Sequence, residues 1–384
     1  MSLQLGNVDL TALLDGCVEN LSATYRDDGL FPYVSVLDGE SVVNSYDHPQ
    51  TLRYTINSLL GLAEAARASI AGTSSERVRD MRDTFLRHHY ERLDSTADLG
   101  LLAVMLSEAD EAPKDTLEAV VARLDTIVSD PSASNLDMQS LSWVVWGCCA
   151  AMSAGVTRAE RVARSTMGRI EDLVAPETGL PRHSASRYRR SIVSFGSLVY
   201  FLRACHEYAV TLDDERARQL FDSGVRRAID LQGPQGEWPW MIDVRSGRPF
   251  DVYPIFSVHQ DSMAMLFLLP SFDSGNDVAA DAVQRSIAWC FGQNELAASF
   301  YRPDPFFFAY RSIERVERLP RARRYLRGVI NRPDAPAAPF ASASVRINRE
   351  CRSYHLGWIL YVWASRAATA LESVPRTRVS GRDG

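Results

Sequence analysis

The segment His259-Gln260-Asp261 brings an imidazole and a carboxylate to the start of a strongly apolar stretch, residues 263–269. Ionisable side chains in such a setting are costly unless they are paired or used in chemistry. His259 is therefore a candidate general base or acid, and Asp261 is a candidate for fixing its tautomer or for acting as an acid itself. In a purely structural alternative, Ser257 and Asp261 cap the helix start and His259 only bonds to a loop.

A second polar segment, from Glu350 to His355, also precedes an apolar helix. Glu350 and His355 are further candidates for catalysis, and Arg352 and Tyr354 are candidates for substrate binding. A glycosidase needs two carboxylates on opposite sides of the scissile bond. If the protein were a glycosidase, Asp261 and Glu350 would be that pair.

Other candidates stand in the long connections that precede apolar helices. Arg53, Tyr54 and Asn57 fall on one helix face, because they follow the i, i+1, i+4 spacing. We expect substrate contacts from these three residues and from five more in the connections: Asp47, His48, Trp238, Trp240 and Arg311. Tyr253 is one more candidate for catalysis.

Seven arginines lie between positions 311 and 327, where only Glu314 and Glu317 oppose them. Arginine binds carboxylate, sulfate and phosphate groups through two parallel hydrogen bonds. The alternative is a solvated helix that carries charge along one face. The run therefore predicts either an anionic ligand or an exposed helix.

Composition excludes several classes of protein. The chain has 384 residues, of which 46% are apolar and 23% charged, and it contains no run of 18 apolar residues. We therefore expect a globular protein without a transmembrane segment. The net charge of −6 argues against nucleic acid as a partner. The first residues lack a basic region followed by an apolar core, so we expect a cytoplasmic location.

Residue usage also bears on cofactors and metals. The single lysine, Lys114, lies in what resembles an exposed helix start, which excludes pyridoxal phosphate and P-loop chemistry. Cys351 and His355 are four residues apart and could face one zinc ion, but they supply only two ligands. The six cysteines lie mostly within apolar helical patterns, which indicates buried thiols rather than disulfides. We expect no cofactor and no metal.

Apolar residues recur at helical spacing through nearly the whole chain, so we expect an all-α fold. A helix with one polar face belongs on the outside of a protein, and a helix that is apolar nearly all round must be enclosed. Amphipathic and apolar helices alternate here, which predicts an (α/α)6 toroid of six hairpins. The expected outer helices are at about 8–24, 76–92, 114–129, 157–173, 213–231 and 277–293, and the inner helices at about 50–68, 95–109, 135–154, 190–210, 257–270 and 350–371.

Three turns that contain glycine and proline support a repeat. Gly29, Gly179 and Gly236 lie 150 and then 57 residues apart, close to multiples of a hairpin repeat of ~50 residues. We expect a single domain over residues 1–372, with a lid-like insertion at 294–348 before the last inner helix. A flexible tail is expected at 373–384.

One motif at the end of an outer helix resembles a known repeat. Gln232, Gly236 and Trp238 form a Gln-x-x-x-Gly-x-Trp pattern, which resembles the QW repeat of terpenoid cyclases. The six-hairpin layout over residues 8–371 is equally similar to that of six-hairpin glycosidases, uronate lyases and sugar epimerases. The resemblance implies a substrate site at the mouth where outer-to-inner connections converge.

The leading hypothesis is an enzyme that acts on an acidic, uronate-like sugar or oligosaccharide by lyase, epimerase or hydrolase chemistry. In lyases and epimerases of similar architecture, Tyr or His removes the proton next to a carboxylate, and Arg or Asn neutralises that carboxylate. The resemblance assigns these roles to His259, Tyr253, Arg53 and Asn57. Two alternatives remain: a terpenoid-cyclase-like enzyme for an isoprenoid, and a non-catalytic toroidal binding or scaffold protein.

Overall fold

Twelve α-helices follow one another along the described part of the chain. The computed structural model describes residues 9–109, 111–130, 135–186, 190–304, 306–316 and 344–372. A five-residue π-helical turn, His259–Met263, leads into the tenth helix. The helices are α1 (Leu10–Thr24), α2 (Thr51–Arg67), α3 (Ser75–His89), α4 (Thr96–Ser107), α5 (Lys114–Ser129), α6 (Met138–Ser153), α7 (Ala159–Asp172), α8 (Phe195–Leu212), α9 (Glu215–Ile229), α10 (Met265–Asp273), α11 (Asp277–Cys290) and α12 (Ser353–Glu372).

The even-numbered helices form the inner layer. They are apolar nearly all round, and residues 97–106 of α4 are buried without interruption. Each inner helix packs against the next, and α12 packs against both the π-helical turn and α2, so the ring closes. Two glycines allow the closest approach in this ring, because a Cβ atom on Gly61 would lie only 2.1 Å from the carbonyl oxygen of Gly357.

The odd-numbered helices form the outer layer and bury one face each. In α9 the buried residues are Ala217, Phe221, Gly224, Val225 and Ala228, which recur every three or four positions. The Asp214 carboxylate caps this helix by accepting a hydrogen bond from the Ala217 N–H. The alternation of layers confirms the predicted all-α toroid.

Ten short strands lie in the segments that precede inner helices, and the sequence did not predict them. They are β1 (Val34–Asp38), β2 (Ser41–Ser45), β3 (Ile192–Ser194), β4 (Met241–Asp243), β5 (Arg248–Asp251), β6 (Ile255–Phe256), β7 (Tyr301–Arg302), β8 (Phe308–Ala309), β9 (Ser312–Arg315) and β10 (Val345–Asn348). All pair antiparallel, in the sheets β1-β2, β3-β4-β5, β10-β9-β6 and β7-β8. Ile313 of β9 pairs with both Ile255 and Ile347, which ties the two connections before α10 and α12 together.

The described start of the arginine run is a strand, so the expectation of a helix is wrong for residues 312–315. Arg315 lies 3.7 Å from the Asp251 carboxylate. The other arginines, at positions 318, 321, 323, 324 and 327, and the predicted tail 373–384 lie outside the described residues. The single domain and the lid role of 294–348 remain predictions. Within the described ranges, no helix has both the length and the apolar character of a membrane span.

Candidate functional site

The first turns of the inner helices carry charged and aromatic side chains that meet at one mouth of the ring. Arg53 of α2 donates from Nε to the Asp98 carboxylate of α4, over 2.5 Å. Its guanidinium also lies 5.1 Å from the ring centre of Trp143 in α6. The Trp143 ring in turn contacts Tyr200 of α8 edge-on, at 4.7 Å. Four neighbouring inner helices are thus joined at this end.

Asp261 of the π-helical turn and His355 of the adjacent helix α12 form a buried pair. The His355 Nε2 atom lies 2.7 Å from Oδ2 and 2.9 Å from Oδ1 of Asp261. The exposed fraction is 2% for the His355 side chain and 0% for the Asp261 side chain. Oδ2 of Asp261 also accepts the Tyr301 hydroxyl at 2.8 Å and lies 3.8 Å from the Cys290 thiol. A carboxylate oxygen accepts hydrogen bonds, so the His355 Nε2 atom is the donor in this contact.

The π-helical turn explains how the chain can aim Asp261 inward. A π-helical turn breaks the regular i to i−4 ladder, so some of its carbonyl groups need other donors. The Trp363 indole N–H donates to the Asp261 carbonyl over 2.6 Å, and the Ser286 hydroxyl donates to the Gln260 carbonyl over 2.7 Å. Side chains of α12 and α11 therefore supply the hydrogen-bond donors that these two carbonyl groups need.

The capping alternative is wrong, since the Ser257 hydroxyl donates to the carbonyl groups of Tyr310 and Arg311.

His259 differs from its expected role. Asp261 does not fix its tautomer, because that carboxylate binds His355 instead. The His259 ring packs between Phe195 and Phe256, with ring centres 5.0 and 5.1 Å away, and its Nδ1 atom has no hydrogen-bond partner among the described residues. Burial, followed by the electrostatic interaction with His355, lowers the pKa of His259 to about 3. His259 is therefore neutral at pH 7.

A column of aromatic rings leads from the chain segment before α2 to the residue beside His355. Tyr33 stacks on His48, with ring centres 3.5 Å apart and an interplanar angle of 11°. Tyr33 also stacks on Tyr54 at 4.9 Å, and Tyr54 contacts Tyr354 at 4.3 Å. Burial raises the pKa of both Tyr54 and Tyr354, so their hydroxyl groups stay protonated. The column offers ring faces and hydroxyl donors next to the Asp261 pair.

Glu350 bridges two arginines at the same mouth. Its Oε2 atom lies 2.7 Å from Nη1 of Arg311 and 2.5 Å from Nη2 of Arg352. Burial alone would raise the pKa of Glu350, but the charges and hydrogen bonds of Arg352 and Arg311 outweigh burial and lower it. The Arg352 guanidinium also lies 4.0 Å from the Tyr33 ring centre and donates to the Tyr33 carbonyl. Glu350 is thus an ionised anchor for two cations and is unsuited to donating a proton.

Two residues expected at the site pack elsewhere. Trp238 is fully buried, stacks on Phe195 at 5.0 Å and donates its indole N–H to Ser286. It is a core residue, which corrects its expected contact with substrate. Tyr253 belongs to a separate apolar cluster and donates its hydroxyl to Glu295 over 2.8 Å, so we do not assign it to the reaction.

The remaining expected residues differ in placement. Trp240 contacts Phe256 edge-on at 6.2 Å, and Phe256 in turn contacts His259. Asn57 is buried, donates to the Arg53 carbonyl and has no partner for Oδ1 among the described residues. Asp47 is exposed.

Sequence reasoning missed several residues of the mouth. Tyr301 gave no signal, because it stands in a segment without helical periodicity, 40 positions from Asp261. Asp98 did give a signal in the sequence, because it is a carboxylate inside an otherwise apolar inner helix. Burial raises the pKa of Asp98, and Arg53 opposes that rise. Such a residue is expected to have a charged partner.

The geometry does not fit the zinc alternative. The His355 Nε2 atom is already bonded to Asp261, and burial raises the pKa of the Cys351 thiol to about 12. In the part of the chain that the structure describes, no three His, Cys, Asp or Glu side chains cluster as metal ligands would.

Comparison with known proteins bears on the fold. The sequence matches no family model and no curated protein. The structure is similar to the cellobiose 2-epimerase from Bacillus thermoamylovorans B4167, with a TM-score of 0.64 and 10% identity, over 93% of this chain and 99% of that one. It is also similar to an unsaturated glucuronyl hydrolase specific for heparin, with a TM-score of 0.60 and 11% identity, over 95% and 98%. A sugar epimerase from a ruminal bacterium is similar with a TM-score of 0.59 and 12% identity, over 93% of this chain and 97% of that one. At these identities the similarity concerns the fold, and it confirms the expected resemblance to the six-hairpin toroids.

Proposed function

We propose that the protein is a carbohydrate-active enzyme that removes and returns a proton at a carbon atom next to a carbonyl or carboxyl group of an acidic sugar. The observation that carries this proposal is the buried pair of Asp261 and His355 at the mouth of the toroid, together with a neutral His259 that interacts electrostatically with His355. The structural neighbours named above are two sugar epimerases and a glucuronyl hydrolase, which supports a sugar as substrate.

The roles of the two histidines follow from their surroundings. His355 accepts the proton on Nδ1, and Asp261 stabilises the imidazolium that forms, since their separation is only 2.7 Å. His259 is a poor base because burial holds its pKa at about 3. A neutral imidazole can instead donate a hydrogen bond to an oxygen that gains charge as the proton leaves. Epimerase chemistry therefore fits this pair better than lyase chemistry, because an epimerase returns the proton to the same carbon atom and a lyase does not.

Hydrolysis through Asp261 and Glu350 fits less well. A general acid must be protonated before it can donate. Arg352 and Arg311 lower the pKa of Glu350, and Asp261 is fully buried with hydrogen bonds from His355 and Tyr301. Neither carboxyl group is arranged to deliver a proton to a leaving group.

The preference for an acidic sugar rests on charge and on stacking. Arg311 and Arg352 share one carboxylate, that of Glu350, so this group of three carries one excess positive charge at the mouth. Tyr33 and His48 offer ring surfaces beside it. This polar mouth favours a sugar over an isoprenoid. The cytoplasmic location stays a prediction.

Deuterium exchange tests the proposed reaction. The protein is incubated in D2O with glucuronate, galacturonate, a uronate-terminated disaccharide and cellobiose, and the sugars are analysed by NMR and mass spectrometry. We expect deuterium at one carbon of an acidic sugar. His355→Asn should reduce the rate at least about 100-fold, the usual contribution of a general base. His88→Asn, at an exposed histidine of α3, is the control and should retain the rate.

Two outcomes would overturn the proposal. Bond hydrolysis without deuterium at carbon would identify a glycosidase. Binding of these sugars without any turnover would identify the non-catalytic binding protein that the sequence also allows.

A further inference from the structure

Tyr301 reaches the Asp261 pair from outside the six helical hairpins. It lies on β7, in the segment between α11 and α12, and its hydroxyl donates to Oδ2 of Asp261 over 2.8 Å. The same oxygen is the one closest to His355, at 2.7 Å. The two donors therefore share the charge of one carboxylate oxygen.

We propose that Tyr301 is a positioning residue that sets the basicity of His355 through Asp261. This inference rests on the proposed function, because it assigns a partner to the base of that reaction. A hydroxyl that donates to the carboxylate withdraws negative charge from it. Asp261 then holds the proton of His355 less tightly than it would without Tyr301.

The Tyr301 hydroxyl is a permanent donor. Burial, followed by the charges of Asp261 and Cys290, raises the pKa of Tyr301 well above its usual value. The phenol therefore remains protonated across the range in which histidine titrates. Other ionisable groups that interact electrostatically with Asp261 or His355 are Cys17 of α1, Cys290 of α11, His259 of the π-helical turn and Tyr354 of α12.

The ring of Tyr301 is held by elements that do not belong to the catalytic pair. Strand β7 pairs with β8, and the Tyr301 ring contacts Phe291 at 4.8 Å and Phe307 at 6.3 Å. Phe307 fits against Gly16 of α1, where a Cβ atom would lie 2.4 Å from its ring, and Asn20 donates to its carbonyl. The position of the hydroxyl is thus fixed by α1 and β8 rather than by Asp261 alone.

Two replacements at this position should move the pKa of the pair in opposite directions. Tyr301→Phe removes the donor and keeps the ring, so the pair should bind its shared proton more tightly and its apparent pKa should rise by about one unit. Replacement by 3-fluorotyrosine strengthens the donor, so the apparent pKa should fall. Tyr310→Phe, at a tyrosine of the same segment that does not contact Asp261, is the matched control and should leave the pKa unchanged.

The experiment is a titration of the full-length protein with 15N-labelled histidine, followed by NMR of the His355 imidazole. This measurement needs no substrate, so it remains decisive if the proposed reaction fails. With an active sugar in hand, Tyr301→Phe should also lower kcat about tenfold and change KM less than twofold, with a shifted pH profile. If the folded Tyr301→Phe and 3-fluorotyrosine proteins both keep the wild-type pKa at His355, the proposal is wrong. If Tyr301→Phe does not fold, the pKa of His355 in the 3-fluorotyrosine protein alone tests the proposal.

Discussion

Arg53 and Asp98 form an ion pair between the first turns of α2 and α4, with 2.5 Å between Nε and Oδ1. The two side chains are only 20% and 11% exposed, so the pair is shielded from the solvent that weakens surface ion pairs. The pairing offsets the charge of Arg53 at the mouth. If the substrate is acidic, as proposed, Asp98 limits what Arg53 contributes to its binding.

Asp98→Asn should increase the affinity for acidic sugars. The change removes a negative charge and leaves the Arg53 guanidinium free to bind a carboxylate. We expect several-fold tighter binding of glucuronate by calorimetry, little change for glucose, and loss of the gain in high salt. Asp94→Asn, at an exposed aspartate nearby, is the control. Equal affinities for both sugars would show that Arg53 does not face the ligand.

Arg352→Ala should cost both stability and binding. The side chain is 6% exposed, and its removal leaves Glu350 with Arg311 as its remaining arginine partner. Breaking a buried ion pair costs about 3 kcal/mol. Arg346→Ala, at a side chain 67% exposed that pairs with Glu314, should change the free energy of unfolding by no more than about 0.5 kcal/mol. Denaturant unfolding measures both, and similar losses would contradict the assigned role.

Glu108 should make stability depend on pH at the other end of the inner helices. It follows α4 and accepts the Tyr361 hydroxyl over 3.0 Å, and burial raises its pKa to about 7. Between pH 4.5 and 7 the folded state keeps a proton that the unfolded state has released, so stability falls as pH rises through that range. Glu108→Gln should therefore be more stable than the wild type at pH 8, by roughly 1–2 kcal/mol after allowing for partial exposure.

The same comparison at pH 4 should show no advantage for Glu108→Gln, because both states then hold the proton. Glu177→Gln, at an exposed glutamate, should follow the wild type at both pH values. Thermal or urea unfolding at the two pH values gives the measurement. A gain that is equal at pH 4 and pH 8 would place its cause in packing rather than in ionisation.

Trp238→Ala should mainly reduce stability, whereas Trp240→Ala should mainly reduce sugar binding. Trp238 is fully buried, so Trp238→Ala should lower the free energy of unfolding by about 3–5 kcal/mol. Trp240 is partly exposed at the mouth, so Trp240→Ala should cost about 1 kcal/mol or less and weaken sugar binding. The two variants are controls for each other in unfolding and binding assays. Unchanged binding in a folded Trp240→Ala protein would remove this residue from the site.

The helices could be predicted from sequence because burial repeats every three or four residues. Short strands such as Ile255–Phe256 have no such period, and their pairing depends on a partner more than 50 positions away. The position of Trp238 in a connection before an inner helix predicts a substrate contact, yet its indole packs against Phe195 and donates to Ser286. Local pattern does not distinguish these two environments.

Asp261 and His355 can be identified as candidates from the sequence, but their pairing cannot. Asp261 stands two positions from His259 and 94 positions from His355, so proximity along the chain favoured the wrong partner. The π-helical turn decides the pairing, and nothing in local spacing predicts that turn. Tyr301 depends on a strand pairing and on α1, which are long-range contacts.

The backbone contact between Gly61 and Gly357 joins the first and last inner helices, about 300 residues apart along the chain. Contacts between such distant segments form slowly, because the intervening chain must be ordered first. His355 lies two residues before Gly357, so the step that brings α12 against α2 also brings His355 to Asp261. Formation of the His355–Asp261 pair is thereby coupled to closure of the ring, and a chain that stops short of α12 would lack His355 at this mouth.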